Sequence, residues 1–490
     1  MNGKSITHPL SSIDDDKFHD ECGVFGIYGS DDAAALTALG LHALQHRGQE
    51  AAGIVSFDGS HFYPHRALGL VGEIFSQKEV IDTLRGNFAI GHVRYSTTGE
   101  TVLRNVQPLY ADYSFGGLAL AHNGNLTNAR LLHKDLVNQG SLFQSTSDTE
   151  VFQHLIATSS GEHLLDRVVE TLREVQGAYS LIALSRRKLI GARDPVGVRP
   201  LTLGKLGDSW IICSETCALD IIGAEFIRDV EPGEIIIIDE NGLHSHKPFS
   251  QTSKRPCIFE YIYFARPDSN IDGHNVYEAR KAIGAELARE SSVSADIVIP
   301  VPDSGVPAAI GFAQESSLPF ELGLIRNHYV GRTFIEPTDE IRNLGVKLKH
   351  NANRQQLKGK RVILVDDSIV RGTTSRKIVE MVRQAGAEEV HMRISSPPTM
   401  HSCFYGIDTP EKSQLLAANF DVEGIKQQIE ADSLAFVTID GLYRAMGETN
   451  RCSDSPQFCD ACFTGEYPIP LTDLDDGSAM SQMSLLAELA

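Results

Sequence analysis

The sequence predicts an α/β chain with more than one core, and three stretches carry that expectation. Residues 361–375 read R-V-I-L-V-D-D-S-I-V-R-G-T-T-S. The aliphatic run has the composition of a buried parallel strand, an acidic pair stands where that strand ends, and hydroxyl-bearing residues lead into an amphipathic run at 376–384. Residues 296–301 repeat the theme, an apolar strand running into Pro302-Asp303-Ser304-Gly305, and ligands collect at such strand ends in open α/β sheets. Between residues 177 and 238, by contrast, strands alternate with turns, at 178–184, 189–192, 210–213 and 234–238, as in an α+β layer.

At 490 residues the chain is long enough for two or three domains with full cores. Its composition is globular, 42% hydrophobic and 22% charged, and no apolar run approaches the length that spans a bilayer. Residues 1–21 are polar and acidic and lack the apolar segment of a secretory signal. A formal charge of −20 argues against nucleic acid or an anionic membrane as partner. A polyanionic small substrate remains compatible, because local amides, arginines and Mg²⁺ outweigh a global field at short range. Eight irregularly spaced cysteines do not form a secreted disulfide framework, and a reducing cytoplasm with thiols kept for chemistry or metal is the expectation.

Taken in order, residues 1–21 predict a leader without regular structure. Residues 21–29, opening on Cys22, read as a strand with glycines for close packing; a lone cysteine there is ordinarily a small core residue. A largely apolar helix at 33–45 leads into His46-Arg47-Gly48. Arg94, in the island at 91–99 that also holds Thr97, has the fork geometry to hold a carboxylate, although a loop arginine is more often a solvated charge. Asn123-Gly124 reads as a hairpin turn, or as an amide and a main-chain N–H able to stabilise an oxyanion. Ser147 or Asp148 is a suitable N-cap for a helix at 151–157. Cys213 and Cys217 read as core residues, and the polar stretch 248–254 as a hinge.

In the second half, 276–290 has helical periodicity, and 326–349 is basic and poorly periodic, with Arg326, Arg332, Arg342, Lys347 and Lys349. The turn after the 361–366 strand offers main-chain N–H groups and a helix N-terminus to a phosphate, with Ser368, Arg371, Gly372, Thr373, Thr374 and Ser375 in or beside it. Asp366 and Asp367 cannot hold phosphate themselves, which frees them for sugar hydroxyls or a hard cation. Cys459 and Cys462 have the C-x₂-C spacing of a metal site, suited to zinc or an iron–sulfur cluster. Residues 471–490 read as a flexible acidic tail.

Residues 361–375 resemble the phosphoribosyl-pyrophosphate (PRPP) signature of type I phosphoribosyltransferases. Residues 21–29 resemble the start of the N-terminal-nucleophile glutamine amidotransferases. From about Cys22 to Pro468 the chain is similar to the glutamine-dependent PRPP amidotransferases, the family that joins the two. The resemblance implies an αββα sandwich at 22–250, after a leader removed at Cys22, then a type I phosphoribosyltransferase domain at 251–470. It implies Cys22 as nucleophile, Asn123 and Gly124 as oxyanion hole, and Arg47, Arg94, Thr97 and Asp148 around glutamine. PRPP falls to Asp303, Ser304, Gly305, Arg332, Lys349, Asp366, Asp367 and the 368–375 turn, with Mg²⁺ at Ser304, Asp366 and Asp367. The stretch 326–349 becomes a lid, and residues 193–200 take structure and domain contact. The cysteine pattern resembles the iron–sulfur subgroup, which adds Cys257 and Cys403 to Cys459 and Cys462 around a [4Fe–4S] cluster, structural zinc being the alternative and Cys452 a rival ligand.

The activity so implied is glutamine hydrolysis with transfer of ammonia to PRPP, giving 5-phosphoribosylamine at the start of purine synthesis. Feedback by purine nucleotides and a homotetramer or homodimer come with the family. One rival keeps the glutaminase half with another acceptor, as in glucosamine-phosphate or asparagine synthases; the first has no use for residues 362–375, and the Ser-Gly-Gly-rich nucleotide loop of the second is absent. The other rival is a PRPP-sensing transcription regulator, which has no use for Cys22, Arg94, Asn123 and Asp148 together and would want a basic DNA-binding domain.

Overall fold

A computed structural model of the chain describes residues 19–20, 22–95, 102–250, 252–327 and 350–475. Two antiparallel sheets stack in the first half. One has seven strands, in the order Glu225–Asp229, Thr202–Leu206, Ser209–Cys213, Gly23–Tyr28, Phe88–Arg94, Ala51–Phe57 and Phe62–Leu68. The other has six, in the order Gly242–His246, Ile235–Asp239, Leu189–Arg193, Gly177–Ser185, Gly116–Leu126 and Leu109–Tyr113. The layer between them is apolar, with Val24, Ile90, Ala119, Ile182, Ile212 and Ile236 fully buried. Their interior strands, 23–28 and 88–94 against 116–126 and 177–185, pack face to face.

Helix Ala33–Ala43 covers the outer face of the first sheet, and helices Thr149–Thr158 and Leu164–Glu174 cover that of the second. The layers are therefore helix, sheet, sheet, helix, as the sequence predicts. The first helix is shorter than 33–45: it stops at Ala43, and a 3₁₀ turn at Gln45–Arg47 carries the chain inward.

The second half is built on a four-stranded parallel sheet, Ile297–Pro300, Arg361–Asp366, Glu389–Ile394 and Ser433–Phe436. Ile363 and Val365 pack on the side of helices Val276–Glu290 and Val306–Ser316, whereas Val362 and Leu364 pack under Thr373–Gln384 and Val422–Ile429. Burial on both faces explains why the strand reads as an unbroken aliphatic run. Helix Thr373–Gln384 begins three residues before the expected start at 376. Gly372 caps it at φ +80°, and first-turn N–H groups lack helical partners, so Thr373, Thr374 and Ser375 cost little there.

The leader is not wholly without structure, for His19–Asp20 pairs antiparallel with Ile407–Asp408. Residues 1–18, 21 and 476–490, the remainder of the expected leader and most of the expected tail, lie outside the described residues. So do 96–101, with Thr97, and 328–349, with Arg332, Arg342, Lys347 and Lys349. The flanks of that second stretch, Leu324–Arg326 and His350–Ala352, form an antiparallel pair.

The halves meet through buried ion pairs. Arg193 contacts Asp272 at 2.9 Å and Arg199 contacts Glu260 at 3.0 Å, so residues 193–200 make the expected contact across the chain. Cys213 and Cys217 are buried, Cys213 fully, consistent with core positions.

Candidate active site

Cys22 leads directly into strand Gly23–Tyr28, which lies between Phe88–Arg94 and Ser209–Cys213. Gly23 pairs with Val93, so Cys22 stands beside Arg94 one step further along the ladder. The Cys22 N–H donates to the Arg47 carbonyl at 3.1 Å. Its φ of +141° is a conformation that L-residues rarely adopt. Arg94 is buried, and its guanidinium donates to the Asn105 carbonyl.

Arg47, expected around glutamine, turns its guanidinium into the interior. The side chain is fully buried and is held by Glu215 and by Glu260, the latter at 2.7 Å. His46 and Ser269 also reach Glu215, each at 2.6 Å. Burial alone would raise the Glu215 carboxyl, but Arg47 and His46 outweigh it and hold the group well below the usual carboxylate range. Arg47 thus touches Cys22 through its main chain, while its charge ties Glu215 to Glu260. Sequence reasoning missed this network. Glu215, Glu260 and Arg199 are far apart along the chain, and no local pattern marks them.

Asn123 and Gly124 sit within strand Gly116–Leu126, not in a hairpin turn. Both polar atoms of the Asn123 side chain are buried without a hydrogen-bond partner among the described residues. A buried amide left so incurs a desolvation penalty, which a ligand at this point would relieve. Gly124 has φ +137°, and a Cβ there would lie 2.0 Å from the Ala178 carbonyl oxygen, so only glycine fits. Asp148 precedes helix Thr149–Thr158 but does not cap it with its side chain. Instead its carboxylate accepts the Leu126 N–H at 3.0 Å and lies 3.8 Å from His122 Nε2. Burial depresses the His122 pKa against the pull of Asp148, which keeps the ring neutral at pH 7.

At the second site, the loops after two adjacent parallel strands are joined by their side chains. The Ser304 hydroxyl donates to Asp367 Oδ1, and the Ser368 hydroxyl donates to Asp367 Oδ2 at 2.6 Å. Asp366 Oδ1 accepts the Asp367 N–H at 2.9 Å. Both carboxylates are buried. Asp303 pairs with Arg326 at 2.7 Å, and Arg371 donates to Gln414 at 3.0 Å. With Gly305, Gly372, Thr373, Thr374 and Ser375 at the same strand ends, the expected sugar-phosphate residues that are described share one edge of the sheet.

Cys257, Cys403, Cys459 and Cys462 line a single cavity, walled also by Phe259, Phe264, Tyr405 and Ile407. Cys257 and Cys459 form an isolated parallel bridge. Burial, and then the other cysteines, push the Cys459 and Cys462 thiols well above their ordinary pKa; the Cys257 thiol is raised to about 12, chiefly by burial. Cys452 is exposed and does not line this cavity. Among the described residues, no group of three or more His, Cys, Asp or Glu side chains is arranged to hold a metal ion. The donor set of the cavity, four soft sulfurs in an apolar shell, has the chemistry of a sulfur-ligated group.

Comparison with known proteins agrees with this division. A glutamine amidotransferase domain matches residues 92–220, and a phosphoribosyl transferase domain matches residues 272–395. The amidophosphoribosyltransferase of Rhizobium etli is 58% identical over 481 residues, which cover 97% of each chain. A solved structure described as the allosteric regulatory enzyme of purine biosynthesis superposes with a TM-score of 0.88 at 51% identity, covering 92% of this chain and 97% of that one. The glutamine PRPP amidotransferase of Bacillus subtilis, solved with ADP and GMP, has a TM-score of 0.87 at 50% identity, with coverage of 92% and 98%.

Proposed function

The chain belongs to the amidophosphoribosyltransferase family, and from that premise we propose how its own residues divide the reaction. It hydrolyses glutamine to glutamate and ammonia and transfers the ammonia to PRPP, which yields 5-phosphoribosylamine and pyrophosphate, the first step of purine biosynthesis.

In the glutaminase half, the Cys22 thiol gives its proton to the α-amino group that removal of residues 1–21 exposes, and attacks the side-chain amide of glutamine. The C–N bond breaks, ammonia leaves, and water later hydrolyses the thioester. Asn123 Nδ2 and the Gly124 N–H receive the oxyanion. Arg94 holds the substrate carboxylate and Asp148 its α-amino group; Thr97 also binds glutamine, and Arg47 contributes through its carbonyl. The strained φ at Cys22 supports leader removal, because cleavage abolishes that torsion.

In the transferase half, main-chain N–H groups at 372–375, with Ser368 and Arg371, hold the phosphate, and the Asp303-Ser304-Gly305 loop holds the pyrophosphate. Asp366 and Asp367 accept ribose hydroxyls; Arg332 and Lys349 bind PRPP. A Mg²⁺ at Ser304, Asp366, Asp367 and pyrophosphate oxygens would offset leaving-group charge, which suits an ion that takes one or two carboxylates plus phosphates. The four cysteines would hold a structural [4Fe–4S] cluster, with zinc the alternative, in a cavity lined by residues of the 251–470 domain. Purine nucleotides act as feedback inhibitors, a reading supported by the ADP and GMP bound to the Bacillus subtilis relative. The chain works in the cytoplasm as a homotetramer or homodimer; no described helix is long and apolar enough to cross a membrane.

The observation that carries the glutaminase assignment is the buried Asn123 amide, without a partner among the described residues, on the strand that packs against that of Cys22. Asn123→Ala is expected to lower glutamine-dependent kcat by about 100- to 1000-fold, the range for loss of one oxyanion donor. Activity with ammonium supplied directly, which bypasses this half, stays near wild type. Equal loss of both activities would remove Asn123 from the oxyanion hole.

A further inference from the structure

The 403–406 segment of the second half, whose Cys403 and Tyr405 line the cysteine cavity, lies directly on the strand of Asn123 and Gly124. The Phe404 carbonyl accepts Asn125 Nδ2 at 3.0 Å. Next to it, the Tyr405 carbonyl accepts Arg199 Nε at 2.8 Å. Gly406, at φ +98°, rests on Gly124 itself: a Cβ at 406 would lie 2.8 Å from the Gly124 Cα and 3.0 Å from its carbonyl carbon. On its other side the Gly124 backbone is confined by Ala178.

The contact is rigidly backed. Tyr405 is buried, its hydroxyl donates to the Ile469 carbonyl at 2.6 Å and accepts the Ile469 N–H at 3.0 Å. Arg199 is fully buried and is also held by Glu260 at 3.0 Å. An oxyanion donor works only when it is fixed where charge develops, and a shift of about 1 Å in such a group can cost about 100-fold in rate. Gly124 sits at a φ that the strand alone does not favour, and the segment from the other half of the chain closes against it.

We propose that Phe404, Tyr405 and Gly406 form a positioning clamp for the glutaminase site, holding Gly124 from the transferase half of the chain. The proposal rests on the reading of Gly124 as an oxyanion donor. The clamp touches neither glutamine nor the thiol. It acts on the transition state through the Gly124 N–H, so its loss alters kcat for glutamine and leaves the glutamine KM and the ammonia-dependent reaction in place.

The test is steady-state kinetics of the full processed enzyme with glutamine and, separately, with ammonium, for Gly406→Ala, Asn125→Ala and Asn123→Ala. Gly406→Ala is expected to lower glutamine-dependent kcat by about 10- to 100-fold, with glutamine KM within about twofold. Asn125→Ala, which removes one anchor without adding volume, shifts the ratio of glutamine- to ammonia-dependent rates in the same direction by a smaller factor. An unchanged ratio in both variants overturns the clamp, and so does a parallel fall of both rates in Asn125→Ala. Should Gly406→Ala fail to fold, Asn125→Ala decides alone. Asn123→Ala separates the two readings: if it leaves the glutamine rate intact, the oxyanion assignment itself is wrong, whereas a loss there with unchanged clamp variants overturns the clamp only.

Discussion

Cys22 and Arg47 are joined by one main-chain hydrogen bond, 3.1 Å from the Cys22 nitrogen to the Arg47 carbonyl. While residue 21 is attached, that nitrogen is an amide whose lone pair is delocalised and cannot take a proton. In the proposed processed chain, a free amine with a pKa of about 8 can donate to Arg47 and still accept the thiol proton.

A preparation whose intact mass shows the leader in place is therefore expected to lack glutamine hydrolysis but to use ammonium. A chain made to start at Cys22 regains the glutamine reaction. Full glutamine turnover by the unprocessed chain would contradict the role of the α-amino group.

The Glu215 network makes stability depend on pH in a defined direction. Its folded-state pKa is depressed, so its contribution is complete above the unfolded value of about 4.3 and is lost as pH falls towards the folded one. Glu215→Gln leaves Arg47 partly unpaired in the interior and should cost about 3 kcal/mol at pH 7, in the range for a broken buried pair. In urea unfolding, the gap between the variant and wild type is expected to narrow steadily below about pH 4. A gap that stays constant to pH 3 would show that the loss is one of packing and not of charge.

The cysteine cavity gives a prediction about metal. Protein purified without oxygen should be brown and contain about four irons and matching sulfide per chain. Cys459→Ser should lose that content and unfold at lower temperature, while Cys452→Ser, altering an exposed thiol away from the cavity, keeps both. Zinc in a colourless protein would replace the cluster and leave the two half-reactions standing. No metal of either kind would mean that the four thiols are packing residues.

How much was legible follows the range of each interaction. The parallel strand at 361–366 was readable because burial on both faces imposes a continuous aliphatic run. The turn after it was readable because glycine and hydroxyl-bearing residues cluster at the N-terminus of helix Thr373–Gln384. Asn123-Gly124 was ambiguous, since its local signal equally fits a hairpin turn; only its place in the middle of a two-sheet stack removes that reading. The side-chain partners of Arg47 were not legible, because an arginine's partner is set by which carboxylates the fold brings near, and Glu215 and Glu260 are remote in sequence.

The sequence alone determined where the principal strands and helices fall and, through motifs that resemble a known family, the two chemistries, since these depend on neighbours a few positions apart and leave a local pattern. The tertiary structure decided what holds those residues still. The Arg47–Glu215–Glu260 network, the Ser304–Asp367 link between loops and the contact of Gly406 on Gly124 all join segments tens to hundreds of residues apart. Such contacts rest on charge pairing and on backbone approach within a packed interior. Neither imposes a periodicity or a spacing on the chain, and so neither can be read before it folds.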